Sequence, residues 1–130
     1  MEELPQTVHV TLPFAVAVAK FSFRSRTNKF QPLHSVLNCS PTKFDFIGSN
    51  NCDERTESWP YNIKYDSWET ILSVTGVVWT GLDQEQSWEI PNENRTSYKC
   101  FGFRVLENGL GEGAAIQDAK LFKGTVHFCF

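Results

Sequence analysis

The chain lacks any apolar run near the roughly 18–20 residues that a membrane-crossing helix needs. Its N-terminus, Met-Glu-Glu-Leu-Pro-Gln-Thr, is acidic and carries no apolar leader core. As written, it reads as cytosolic, or as a fragment whose targeting segment lies elsewhere. Its four cysteines contain no Cys-x-x-Cys pair and have no paired histidines as fellow ligands, which argues against zinc. No serine sits in a Gly-x-Ser-x-Gly elbow, the three histidines are scattered, and no spacing sets two acids apart as an acid–base pair. The chain is therefore read as non-catalytic. Gly109-Leu-Gly-Glu-Gly113 lacks the lysine and the following helix of a phosphate loop, so it reads as a turn. Charge of one sign is scarce too. Twelve Lys and Arg against fifteen Asp and Glu, interspersed, give a net charge of −3, which argues against nucleic acid as a partner. Sustained apolar spacing at three and four residues is missing, so helices should be few.

What is present is aromatic, with eleven Phe and four Trp in 130 residues. That length makes one domain, 1–130, burying roughly two-thirds of its unfolded surface. Phe101, Phe103 and Val105 share one face of an extended strand, with Gly102 and Arg104 on the other. Asn108-Gly109 and the next glycines permit a sharp turn. Ile116, Ala119 and Leu121 then mark a returning strand, giving an antiparallel two-strand unit. Upstream, Val8, Val10, Leu12 and Phe14 alternate with polar or small residues, and Val16 and Val18 keep the phase. The phase slips between Ala19 and Lys20, where Phe21 and Phe23 take over the inner face. That reads as a bulge, or as two strands divided by Pro13.

Further along, Arg24 to His34 is a polar loop and Lys43 to Gly48 a strand with Phe44 and Phe46 inward. Asn51 to Ser67 is a polar insertion holding Trp59-Pro60-Tyr61, and Trp68 to Val74 is a strand. Gly76 to Gln86 is a loop carrying Trp79, Ser87 to Ile90 a short strand, and Asn92 to Ser97 a turn. Thr125 to Phe130 alternates as an extra edge strand. Many short strands between regular turn signals predict an all-β, antiparallel β-sandwich of jelly-roll type. Cys39 and Cys52 bracket one strand and its turn, so a disulfide is open in an exported protein. Without a leader, buried free thiols are favoured. The sequons Asn38-Cys39-Ser40 and Asn94-Arg95-Thr96 matter only in the exported case.

Four stretches carry a family resemblance. Tyr98 to Phe122 resembles the last two strands of discoidin-like domains, also called coagulation-factor C-type domains, which are galactose-binding-like β-sandwiches. Pro41 to Asn50 is similar to the family's strand ending in Gly-Ser-Asn, Trp68 to Leu72 to the Trp-led strand after it, and Val10 to Arg24 to its mid-domain strand. The resemblance covers most of the chain but leaves the family's first strands without a counterpart. It implies binding of sugars, lipid head groups or proteins through loops at one end of the sandwich. It also implies a structural calcium ion, although the usual ligands for that ion are not seen here. No other cofactor is expected.

If each strand crosses the sandwich once, loops 24–34, 76–86 and 107–113 gather at one end, with 51–67 and 92–97 at the other. The first end holds the leading candidates, Arg24, Arg26, Asn28, His34, Trp79 and Asn108, with Phe30 beside them. Trp79 would offer an aromatic face to the C–H side of a sugar ring, and the arginines and asparagines would hydrogen-bond its hydroxyls. The competing reading packs Trp79 on the end of the core. Trp59 and Tyr61 are the secondary candidates, either an exposed anchor or folded back over the core. The expected function is a carbohydrate-binding module for galactose-type glycans, and the alternative is a protein-interaction module. Membrane-surface binding ranks third, because the first-end loops lack paired exposed apolar tips.

Overall fold

The computed structural model describes residues 4–25, 40–109 and 116–123, and a strand over 126–129. Among the described residues eight strands carry the fold: β1 (Gln6–Ala17), β2 (Lys20–Arg24), β3 (Pro41–Ser49), β4 (Glu69–Val74), β5 (Glu85–Glu89), β6 (Ser97–Asn108), β7 (Gln117–Lys123) and β8 (Val126–Cys129). The only helical turns among the described residues are the 3-10 turns Tyr65–Ser67 and Asn92–Asn94. One sheet has the order β1-β6-β3-β4 and the other β5-β2-β7-β8, with every neighbouring pair antiparallel. The all-β sandwich expected from the alternation is what forms, and the tail is an edge strand beside β7.

The two sheets meet through phenylalanine. Phe21 and Phe23 of β2 face Phe44 and Phe46 of β3 and Phe103 of β6, all fully buried. Phe21 stacks on Phe46 at 4.3 Å between ring centroids, and Phe23 meets Phe44 and Phe103 edge-on at 5.3 and 5.4 Å. Offset-stacked and edge-to-face pairs each contribute about 0.5–1.5 kcal/mol beyond their area burial, so this layer holds the sheets together.

Three sequence expectations need correction. Segments 98–108 and 116–122 are not paired with each other: β6 lies between β1 and β3, and β7 between β2 and β8. Their apolar faces are opposite walls of one core, Phe101 and Phe103 on one side, Ala119 and Leu121 on the other. Alternation identifies the buried face of a strand but not its neighbour. Next, the phase slip at Ala19–Lys20 marks the passage between sheets, since Ala17 pairs with Ser97 and Lys20 with Glu89 and Phe122. The register shift lies earlier, between Thr11 and Val16, across Pro13. An edge strand tolerates the proline's missing N–H there. Phe14 falls inside that irregularity and is 58% exposed, whereas Val8, paired with Phe103, keeps the inner phase but is 47% exposed on the edge strand.

The third correction concerns the cysteines. Cys52 and Cys100 form a disulfide, with Cα atoms 6.2 Å apart, so these two are neither free thiols nor a Cys39–Cys52 pair. Cys39 lies outside the described residues. The bridge joins the insertion after β3 to the outer face of the central strand β6. Around it Ile47, Trp68, Ile63 and Tyr65 make a second small core. β6 is consequently buried on both faces from Cys100 to Phe103. Gly102 fits there because a Cβ would stand 2.8 Å from the Val8 carbonyl oxygen and 3.1 Å from the His9 Cβ.

Candidate functional site

The end of the sandwich that carries Trp79 is closed by its own hydrogen bonds. The Trp79 indole Nε1 donates to the Pro41 carbonyl at 2.8 Å, and its half-buried ring lies 5.5 Å from Phe23. Val77 N donates to Thr42 O, the Ser25 hydroxyl to Gly81 O, and Gln84 N to the Ser25 hydroxyl. Arg24 donates to Asp83 O at 3.0 Å and pairs with Glu85 at 3.2 Å. Pro41 is the cross-strand partner of Asn108. The structure thus brings Arg24, Trp79 and Asn108 to one end, but Trp79 packs on the core and Arg24 is spent on the protein's own carboxylate and carbonyl. Arg26, Asn28, Phe30 and His34 lie outside the described residues.

The insertion behaves differently. It runs back over the outer face of the β1-β6-β3-β4 sheet and then turns away at a tip, Ser58–Tyr61. Thr56 organises that tip: its hydroxyl donates to Pro60 O at 2.9 Å and accepts from Asn62 N at 3.2 Å, and its own N donates to Asn62 O at 2.9 Å. Arg55 pairs with Ile63 as an isolated bridge, and its Nη1 donates to Tyr61 O at 3.3 Å. With the backbone engaged in this way, the side chains of Trp59 and Tyr61 stand 81% and 60% exposed. An exposed Trp–Tyr pair on an internally bonded tip is unusual for a surface that only faces water.

Beneath the tip lies a cleft in two lobes. Its walls are the start of β1 and the returning arm of the insertion, which share Pro5, Thr7, Ile63 and Tyr65 between the lobes. The larger lobe, about 690 Å³, adds Val8, Arg55 and Asn62. The smaller, about 440 Å³, adds Thr56, Lys64, Asp66 and Arg104. A hydrogen bond braces the floor: Tyr65 Oη and His9 Nδ1 are 2.7 Å apart, and the two rings meet Trp68 edge-on at 5.2 and 5.3 Å. Burial lowers the His9 pKa, an effect that Asp53 opposes and Arg55 reinforces. Burial also raises the Tyr65 pKa, against the pull of Arg55. Both rings are therefore neutral at pH 7. In the tautomer protonated at Nε2, the Tyr65 hydroxyl donates to His9.

Trp59 and Tyr61 were readable as candidates from the sequence; His9, Arg55, Tyr65 and Arg104 were not. His9 and Arg104 do occupy the outward phase of their strands, which alternation can mark. Only the folded insertion gives that outer face a covering, however. Among the described residues no group of three or more His, Cys, Asp or Glu is placed to hold a metal ion. None of the helices is long and apolar enough to cross a membrane among the described residues. The chain matches no protein-family model, and no curated protein matches it.

Proposed function

We propose that this chain is a non-catalytic binding module of the discoidin-like, galactose-binding-like jelly-roll class. It recognises carbohydrate, galactose-type glycans included, through the Trp59–Tyr61 tip and the cleft beside it. The observation that carries the reading is the pair of exposed rings fixed on a hydrogen-bonded tip above a polar cleft. An aromatic face accepts the apolar C–H side of a pyranose, and Asn62 and Arg55 offer planar hydrogen-bonding groups to its hydroxyls. Because the tip backbone is already ordered, little conformational entropy is lost on binding. The packing of Trp79 on Phe23 and its bond to Pro41 favour this tip over the opposite end as the sugar platform.

The second reading is a protein-interaction module, and the same rings favour it, because Trp and Tyr dominate the energetic centres of protein interfaces. A glycan array separates the two. Saturable binding that Trp59→Ala abolishes without lowering Tm supports the carbohydrate reading. Silence across the array, together with a stable protein partner whose binding Trp59→Ala removes, supports the second. Loss of glycan binding in Trp79→Ala at unchanged Tm would move the site to the other end.

A further inference from the structure

We infer that the ligand is an acidic saccharide, a uronate or a sialate, whose carboxylate enters the smaller lobe and meets Arg104. This rests on the carbohydrate reading above and narrows it. Arg104 is a half-buried cation on the outer face of β6, and among the described residues it forms no ion pair. Its Nη2 donates to the Tyr65 carbonyl at 3.1 Å, and its Nε is buried with no hydrogen-bond partner. The carboxylate directly across the strands, Asp45, accepts from the Ser73 hydroxyl at 2.7 Å instead. A partly desolvated guanidinium is costly unless an anion compensates it. Here the compensating anion is left to come from outside, and the cleft gives it a way in.

The surroundings of Arg104 suit a carboxylate. Thr7 brings a hydroxyl-bearing side chain to the same lobe, and Lys64 adds a second cation that Glu54 holds at 3.6 Å. Arg55 lines the adjoining lobe, also without an ion-pair partner among the described residues. Against Arg104, Arg55 and Lys64 stand Asp66 in the lining and Glu54 on Lys64, which leaves an excess of one cation at the cleft in a chain whose net charge is −3. A local cationic excess on a weakly acidic protein concentrates anions at that cleft. The planar guanidinium matches a carboxylate through paired N–H donors, and it keeps donors beyond its one bond to Tyr65. The larger lobe and the exposed rings are left for the neutral part of the sugar.

The test is a titration of the whole chain with a uronate-containing tetrasaccharide, a sialylated trisaccharide, and the carboxyl-reduced form of each. The expected result is an affinity for an acidic form about tenfold above that of its reduced counterpart, falling as salt is added. Arg104→Gln should remove that preference while leaving binding of the reduced form in place. Since Arg104 is half-buried, Lys64→Gln on the rim is the second variant, expected to cut the preference about threefold at unchanged Tm. Equal binding of acidic and reduced forms would overturn the inference and leave the carbohydrate reading intact. So would a preference that survives both substitutions. No binding of any of the four sugars, with the array silent as well, would overturn both together.

Discussion

Replacing Cys52 and Cys100 together by alanine tests how the insertion is held. The bridge closes a loop across a sequence separation of 48 residues. In the chain-entropy treatment, cross-linking a loop of that length removes about 14 cal/mol/K from the unfolded ensemble, or about 4 kcal/mol at 25 °C. A domain of this size is stable by about 5–15 kcal/mol, so the bridge accounts for a large part of the total. Cys100 is fully buried and Cys52 nearly so, and losing the two sulfurs from the small core adds modestly to the cost. Urea unfolding of the oxidised parent and of Cys52→Ala/Cys100→Ala should show a loss of about 3–5 kcal/mol. The slope should also steepen, because the unfolded chain expands once uncross-linked. Hydrogen exchange should speed up first in residues 52–65. A loss under about 1 kcal/mol, or a non-reducing mass with both thiols free, would refute the reasoning.

Four further outcomes follow. Trp59→Ala should leave Tm unchanged, since its ring is 81% exposed, while removing glycan binding; titration and thermal melts read both. Trp79→Ala should destabilise by about 2–3 kcal/mol, because it opens a gap against Phe23 and orphans the Pro41 carbonyl. Gly102→Ala forces a Cβ to within 2.8 Å of a backbone oxygen, and chemical unfolding should show a loss of about 1–3 kcal/mol. His9 has a folded-state pKa below its unfolded value of 6.5, so the unfolded chain takes up the proton first. Its contribution is fully present above about pH 6.5 and is lost as pH falls through that value toward the folded pKa. Melts between about pH 8 and about pH 5 should decline, and His9→Gln should flatten that slope.

Much of the fold is legible in the chain because a strand in a two-layer sandwich exposes one face to the core. Phe44 and Phe46, Phe101 and Phe103, and Phe21 and Phe23 each announce such a face at a spacing of two, and all six are buried. Which strands become neighbours is a different matter. Phe103 and Leu121 have the same pattern whether they sit side by side or across the core, so the supposed hairpin between β6 and β7 could not be distinguished from two facing strands. The site was harder still. Its covering is an insertion with no periodicity, pinned by a bridge between cysteines 48 residues apart, and spacing alone gives no reason to pair Cys52 with Cys100 rather than Cys39. Trp59 and Trp79 look alike as residues; only the bond to Pro41 and the contact with Phe23 mark one of them as structural.

The most direct measurement is a nitrogen–proton NMR titration of the labelled chain with the acidic tetrasaccharide, following the four tryptophan indole signals. The expected result is a saturable shift of the Trp59 signal and of the Asn62 amide, with Trp79 stationary. A Trp79 signal that moves while Trp59 stays fixed would contradict binding at the insertion tip.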